Sequence, residues 1–269
     1  MNYKLLALDM DGTLLRSDKT ISKPTANAIE TACNSGKYIT ISTGRPIQGL
    51  TEYENIIKPD VPVITYNGAM IIKLHSHEVI LHRQIDTDSA REVLEFGQKF
   101  NTTIIVWSDN KLYVNRINDK VQNYKLLSGI EPILLTDNET VLNQGITKIL
   151  WIDDEKKHIE YQSILDSQLI NRHVSYCTSQ PVFLEFMPEG VSKASALKQL
   201  GELLNIKQEE IIAAGDGYND LPMIEYAGLG VAMDNAPDDV KKAADYITAG
   251  NDNEGISLLI ENVLLKSGA

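Results

Sequence analysis

Short apolar runs alternate with segments of helical period at the start of the chain. Apolar residues dominate Leu5–Leu8, Tyr38–Ile41 and Val63–Thr65, and small or polar residues follow each run. Between the first two runs, apolar positions recur at helical spacing, and Ser22 stands where it can cap the helix. This alternation predicts the strands of a parallel sheet, with helices packed on its faces.

The pattern changes near Ile71. The segment MIIKLHSHEVILHR predicts a hairpin, and strands with more alternation of aromatic and polar residues follow it. Two segments of helical period lie among these strands, around Asp88–Phe100 and Lys156–Leu165. We interpret the stretch from about Arg83 to Pro188 as an inserted α+β unit.

The first pattern returns after the insertion. Leucines at helical spacing predict a helix over Lys193–Leu204, and apolar runs predict buried strands at Ile211–Ala214 and Leu229–Ala232. Asn235 is predicted to cap a further helix that carries Pro237 early. The two ends of the chain therefore form one core that is interrupted once.

Composition narrows the possible classes of function. The 269 residues carry a formal net charge of -12, which disfavours binding to nucleic acid or to acidic membrane surfaces. No signal segment or run of transmembrane length is visible, so a cytoplasmic protein is expected. The two cysteines, Cys33 and Cys177, stand far apart in apolar segments and are predicted to be buried thiols.

Pairs of carboxylates follow two of the predicted strands. Asp9 and Asp11 come after Leu5–Leu8, and Asp216 and Asp220 come after the strand near residue 213. Like charges at one place are costly unless a cation is bound between them. Hard oxygen ligands without a Cys/His cluster favour Mg²⁺ over zinc, and Mg²⁺ in proteins usually serves a phosphate.

Two further features suggest a phosphate. SerThrGlyArg at Ser42–Arg45 offers a hydroxyl and backbone N–H groups at another strand end. Lys193 opens a helix, where the helix dipole disfavours a cation unless an anion lies nearby. Each feature has an ordinary alternative, namely a common turn for the first and a surface lysine for the second.

Four motifs in order resemble those of the haloacid dehalogenase-like superfamily of phosphatases. They are AspMetAspGlyThrLeu at 9–14, SerThrGlyArg at 42–45, Lys193, and GlyAspGlyTyrAsnAsp at 215–220. AsnGlyAla at 67–69, GlyValSerLys at 190–193 and ValAlaMetAspAsnAla at 231–236 resemble its Cof-type branch. The resemblance implies an α/β fold with a Rossmann-like parallel-sheet core, residues 1–82 and 189–269, and an inserted α+β cap, residues 83–188.

The resemblance also implies roles for individual residues. Asp9 becomes the nucleophile that forms an aspartyl-phosphate, and Asp11 becomes the general acid–base. Thr43 and Lys193 hold the phosphoryl oxygens. The other residues expected at the phosphate are Gly44, Arg45 and Asn219, and Arg45 is left with the alternative of an ion pair in the core.

Metal binding is implied for the acidic residues. Asp9, Asp216 and the backbone carbonyl of Asp11 are expected to hold Mg²⁺, and Asp220 is expected to support the site. Asp220 has an alternative, since it could merely cap the helix that begins at Leu221, and Thr43 could be an ordinary turn residue.

Three other functions use similar residues. A phosphomutase shares the motifs, and motifs alone do not exclude it, although the strand-rich insertion favours hydrolysis. A sensor without catalysis would be expected to lose Asp9, Asp11 or Lys193, and all three are present. A receiver domain of two-component signalling would have about half this length.

Substrate selection is expected to involve the inserted unit. The family branch implies small phosphorylated metabolites such as sugar phosphates or phosphorylated cofactors. His75, His77 and His82 are interpreted as surface residues of the hairpin, since nothing completes a zinc site. The sequence leaves the oligomeric state open. Candidates for contact with the leaving group are Arg83, Trp107, Tyr113, Arg116 and Glu185.

Overall fold

The computed structural model describes residues 2–56, 61–168 and 173–267. Its strands are β1 (Leu5–Leu8), β2 (Tyr38–Ile41), β3 (Val63–Thr65), β4 (Met70–Ile72), β5 (Val79–His82), β6 (Thr103–Ser108), β7 (Lys111–Val114), β8 (Ile133–Leu134), β9 (Lys148–Ile152), β10 (Val174–Gln180), β11 (Phe183–Pro188), β12 (Ile211–Gly215), β13 (Leu229–Met233) and β14 (Tyr246–Thr248). Its helices are α1 (Lys23–Asn34), α2 (Thr87–Lys99), α3 (Asp119–Ser128), α4 (Asn138–Gln144), α5 (Glu155–Gln168), α6 (Lys193–Leu204), α7 (Leu221–Tyr226), α8 (Asp238–Ala243) and α9 (Gly255–Leu259). None of the helices described here has the length and apolar character needed to cross a membrane.

The chain divides into two compact units. The first comprises Met1–Gly44, Leu50–Leu81 and Ser192–Ala269, and the second comprises Arg45–Gly49 and His82–Val191. The first unit contains a five-stranded sheet and the small sheet β3-β4-β5, in which β3 pairs antiparallel with β4 and does not extend the parallel sheet as a regular strand. The second unit contains a six-stranded sheet, and each unit has its own cluster of buried apolar side chains. The second unit is thus almost wholly one continuous insertion into the first.

A five-stranded parallel sheet organises the first unit, in the order β14-β13-β12-β1-β2. In the register of this sheet, Leu5 of β1 lies opposite Ile211 of β12 on one side and Tyr38 of β2 on the other. Because the chain leaves β1 toward β2 and returns to its other side at β12, the strand order reverses there. Crevices outside the carboxyl ends of strands at such a reversal are where α/β sheets bind ligands.

Local signals explain where the helices of this unit begin. The Ser22 hydroxyl accepts the Thr25 N–H at 3.2 Å ahead of α1, and Ser192 with Ser195 forms a reciprocal cap ahead of α6. Leu197 and Leu200 of α6 are fully buried in the cluster that covers one face of the sheet. The side of α6 that carries these leucines therefore fixes how its first turn approaches the strand ends.

A six-stranded sheet organises the second unit, in the order β10-β11-β9-β6-β7-β8. Its strand pairs are antiparallel except for β7 with β8. Helices α2, α4 and α5 contribute to one buried cluster with the sheet, in which Trp151 and Phe186 pack with ring centroids 4.6 Å apart. The predicted fold class, a parallel-sheet α/β core with an inserted α+β unit, is confirmed.

Two predictions about single residues are wrong. Asn235 does not cap a helix, because α8 begins after Pro237 and no side chain in the described part of the chain caps it. Cys177 is only half-buried, whereas Cys33 is buried as predicted, and neither is in a disulfide. Both errors concern side chains whose surroundings depend on residues distant in sequence.

Candidate active site

Asp9 lies at the carboxyl end of β1 in the middle of the parallel sheet. Its backbone N–H continues the sheet by donating to the Ala214 carbonyl at 2.9 Å, and its side chain is 9% exposed. Burial first, and then the neighbouring Asp220 carboxylate, raise the pKa of Asp9 well above its ordinary value, although Lys193 acts in the opposite direction. The strand end thus holds a carboxylate that a cation would readily stabilise.

Lys193 places a buried positive charge against this carboxylate. It is the first residue of α6, its side chain is fully buried, and its Nζ donates to Asp9 Oδ1 and to Asp220 Oδ1, both at 2.5 Å. Burial alone lowers the pKa of Lys193, but the two carboxylates outweigh it and raise the pKa above the usual value. The alternative of a surface lysine is excluded, and Lys193 remains charged in the folded protein.

Asp220 has a different role from a simple helix cap. Its Oδ2 accepts the N–H groups of Asp216 at 3.0 Å and Gly217 at 2.8 Å, both in the loop before α7. Among the residues that the structure describes, none caps α7 through a side-chain hydrogen bond. Asp220 therefore holds the loop that carries Asp216 and also binds Lys193.

Three carboxylates form a cluster suited to a divalent cation. Oxygen atoms of Asp9, Asp216 and Asp220 all lie within 4.8 Å of one another. Burial, and next the charge of Asp220, raise the pKa of Asp216 to about 6. Three carboxylates this close together offer hard oxygen ligands, and such ligands suit Mg²⁺ better than a softer metal. No histidine belongs to the candidate metal clusters in the described ranges, and His75, His77 and His82 are exposed.

The Asp11 side chain lies outside this cluster. Its Oδ1 accepts the Nζ of Lys19 at 2.9 Å, and the side chain is 38% exposed. Asp11 is thus brought to the same strand end as Asp9 with its carboxylate turned toward solvent. This placement leaves the carboxylate accessible to a substrate that enters from solution.

The turn after β2 places Thr43 and Gly44 beside the turn that contains Asn67. Thr43 is buried, its N–H donates to the Ile64 carbonyl, and its own carbonyl accepts the Asn67 N–H at 2.9 Å. Gly44 packs so closely that a Cβ there would lie 3.0 Å from Asn67 Oδ1. Arg45 belongs to the second unit, where its Nη1 donates to the Gly49 carbonyl at 3.2 Å.

Sequence reasoning missed the role of several residues around Asp216. The Thr13 hydroxyl donates to Asp216 Oδ1 at 2.9 Å. A Cβ on Gly12, which has φ +83°, would lie 2.3 Å from Asp216 Oδ2, so only glycine fits there. Asn235 donates to the Gly12 carbonyl at 2.9 Å instead of capping α8. The AspGlyThr run next to Asp9 was the one signal that could have indicated Gly12 and Thr13.

The residues expected to select a substrate all belong to the second unit, and two of them are tied to neighbours inside it. Glu185 accepts the Nζ of Lys148 at 3.1 Å in an ion pair that is almost fully buried. The Trp107 Nε1 donates to the Tyr124 hydroxyl at 3.0 Å. Both Trp107 and Glu185 are therefore part of the packing of this unit. The remaining candidates are Tyr113, which is buried, Arg116, which is half-buried, and Arg83, which is exposed.

Comparison with known proteins gives one consistent family. Residues 6–260 match the family model of the haloacid dehalogenase-like hydrolases. The chain is 31% identical to the putative phosphatase YxeH of Bacillus subtilis, over 98% of this chain and 99% of that protein. It is 33% identical to 5-amino-6-(5-phospho-D-ribitylamino)uracil phosphatase YcsE of the same species, over 98% and 97% of the two chains.

Solved structures of similar proteins have the same fold. A haloacid dehalogenase-like hydrolase from Bacteroides thetaiotaomicron superposes with a TM-score of 0.86 at 33% identity, covering 97% of this chain and all of that one. The HAD subclass IIB sugar phosphatase BT4131 superposes with a TM-score of 0.84 at 29% identity, covering 96% and 98% of the two chains. The similarity therefore extends over both compact units.

Proposed function

Because the chain belongs to the haloacid dehalogenase-like hydrolases, in their Cof-type branch, we propose that it hydrolyses phosphate monoesters of small metabolites with Mg²⁺ bound among Asp9, Asp216 and Asp220. Its enzyme class, a phosphomonoesterase, follows from the family match and from phosphatases that resemble it along their whole length. The identity of the metal and the class of substrate are what we propose.

One observation carries the proposal more than any other. Lys193 is fully buried and bonds at 2.5 Å to two of the three carboxylates of the cluster. Burying one cation and two acids beside a third, half-buried acid is costly, so a site that retains them is expected to use them for a charged ligand. When bound here, Mg²⁺ supplies positive charge that offsets the charge of the phosphate and of the carboxylates.

The proposed reaction has two displacement steps at phosphorus. In the first, an Asp9 carboxylate oxygen forms a bond to phosphorus, the bond from phosphorus to the ester oxygen breaks, and Asp11 gives its proton to the departing alkoxide. In the second, a water oxygen bonds to phosphorus, Asp9 leaves, and Asp11 takes the water proton. The accessible carboxylate of Asp11 supports this role, because it must reach both the leaving group and water.

Other residues hold the phosphoryl group in this scheme. Lys193 and Thr43 would bind its oxygens and stabilise the charge that develops on them. Gly44 would donate its backbone N–H, and Asn219 its side-chain amide. Arg45 is proposed only as an additional contact, since its described bond is to the Gly49 carbonyl.

The substrate class is proposed from the relatives. YcsE acts on a phosphorylated ribitylamino-uracil, and BT4131 is a sugar phosphatase, so small phosphorylated metabolites are the expected substrates here. Residues 83–188 are proposed to act as the cap that selects among them. The cytoplasmic location and the lack of nucleic-acid and membrane partners stay predictions from charge and sequence pattern.

The test is phosphate release from p-nitrophenyl phosphate, with Mg²⁺ and with EDTA, for the wild type, Asp9→Asn and Asp11→Asn. We expect turnover that requires Mg²⁺ and that falls at least 1000-fold in Asp9→Asn. Asp11→Asn is expected to reduce turnover by about 100-fold or more, because general acid–base groups contribute on that order. Wild-type turnover that survives EDTA or the Asp9 substitution would contradict the proposal. A phosphomutase would instead transfer the phosphoryl group to an added acceptor alcohol.

A further inference from the structure

A strained turn lies beside the candidate site. Tyr66, Asn67 and Gly68 follow β3 with φ values of 52°, 54° and 105°, and all three residues are buried. Positive φ costs a residue with a Cβ roughly 1–3 kcal/mol, and tyrosine tolerates it poorly. Such strain persists only where the surroundings enforce it, and it is concentrated at functional sites.

Asn67 binds two of the loops that carry proposed site residues. Its N–H donates to the Thr43 carbonyl at 2.9 Å, and its Oδ1 accepts the Nδ2 of Asn219 at 3.1 Å. Its side chain also fills the space above Gly44, where a Cβ would lie 3.0 Å from Oδ1. Asn67 is 2% exposed, so these contacts form in the interior.

The next residue of the turn reaches the third loop. Gly68 packs against the backbone of Ser192, because a Cβ on Gly68 would lie 2.2 Å from the Ser192 carbonyl oxygen. Ser192 caps α6, which begins with Lys193. One strained turn therefore touches the loops that present Thr43, Asn219 and Lys193, which lie far apart in the sequence.

We propose that Asn67 is a positioning residue of the phosphate site, which acts by orienting the Asn219 amide toward the phosphoryl group. This inference rests on the proposed function. The bond to Asn67 Oδ1 fixes one amide hydrogen of Asn219, and the planar amide then has a defined direction for its other hydrogen. Without this acceptor, the amide of Asn219 is free to rotate away from the phosphate.

The main variant is Asn67→Gly, which removes the acceptor but accepts the same backbone angles. Glycine adopts positive φ at no steric cost, so the turn is expected to keep its shape. The matched control is Asn205→Gly, because Asn205 ends α6 with φ 54° and is exposed. The two variants make the same chemical change in nearly the same backbone conformation.

Kinetics should separate the two variants. Misplacing a binding group by about 1 Å can cost on the order of 100-fold in rate, so we expect Asn67→Gly to lower kcat/KM for p-nitrophenyl phosphate by about 10- to 100-fold. Asn205→Gly should stay within about twofold of the wild type, and thermal unfolding should confirm that both variants are folded. A value for Asn67→Gly equal to that of Asn205→Gly would overturn the inference.

A double-mutant cycle tests whether Asn67 acts through Asn219. If it does, Asn67→Gly should change kcat/KM by less than about threefold in the Asn219→Ala background. If the two substitutions lower kcat/KM independently, so that their fold-changes multiply in the double variant, Asn67 does not act through Asn219. If Asn67→Gly does not fold, Asn67→Asp replaces it, because aspartate retains an acceptor oxygen. The kcat of Asn67→Asp at saturating substrate should lie within about threefold of the wild type. A loss of kcat as large as that of Asn219→Ala would overturn the inference.

Failure of the proposed function is recognisable separately. If the wild type releases no phosphate, calorimetric binding of inorganic phosphate replaces kinetics, and Asn67→Gly should weaken that binding about tenfold relative to Asn205→Gly. Equal binding by both variants would refute the role of Asn67. Absence of phosphate binding by the wild type would overturn the inference together with the proposed function.

Discussion

Removing the Lys193 charge should destabilise the folded protein far more than removing any exposed lysine. Its Nζ lies 2.5 Å from Asp9 and from Asp220, and its side chain is fully buried. At an effective dielectric constant of 20, each contact corresponds to roughly 6–7 kcal/mol of Coulomb energy before the cost of burial is subtracted. Removing one partner of a buried ion pair typically costs about 3–5 kcal/mol, because the other charges remain buried without compensation. We therefore expect Lys193→Met to lower the free energy of unfolding by about that amount.

The assay is urea unfolding at pH 8 with EDTA present, so that no metal replaces the lost charge. Lys198→Met is the matched control, since Lys198 lies on α6 and is exposed. Losing Lys193 removes the group that lowers the pKa of Asp9, which burial already raises. A carboxylate with a raised pKa destabilises the folded protein above that pKa, where it is charged, and less below it, where it is protonated. The loss of unfolding free energy in Lys193→Met should therefore be smaller at pH 5 than at pH 8. Unfolding free energies within 0.5 kcal/mol for the two variants at pH 8 would refute the reasoning.

The remaining predictions concern the metal site. Because the pKa of Asp216 is about 6, protons should compete with Mg²⁺ below that pH, and calorimetry should show the Mg²⁺ affinity falling by about tenfold between pH 7.5 and pH 5. Constant affinity over this range would contradict the raised pKa of Asp216. Gly12→Ala should weaken Mg²⁺ binding at least tenfold and lower the free energy of unfolding by about 2 kcal/mol or more, because its Cβ would overlap Asp216 Oδ2. Gly36→Ala is the control, since Gly36 has φ +84° and, apart from its chain neighbours, no atom of the described residues would lie within 4 Å of the added carbon. Equal losses in unfolding free energy for the two variants would mean that backbone strain alone is responsible.

The sequence by itself determined several elements of the core and their order. β1, β2, β3 and α6 begin and end at the predicted residues, because apolar periodicity and caps act over a few neighbouring residues. The four ordered motifs also identified the family and directed attention to Asp9, Asp216 and Lys193. These signals are local, so a single chain displays them without any knowledge of packing.

Only the tertiary structure decided which side chains meet. Asp9 and Lys193 are 184 positions apart, and their contact exists because β1 and β12 pair in parallel while α6 packs over the same sheet. Asn235 shows the limit of local reasoning, since its amide bonds to Gly12 and not to its own helix. A turn signal such as Asn67-Gly68 likewise does not reveal that it touches three loops. Contacts between distant residues depend on sheet register and on helix packing, which sequence periodicity does not specify.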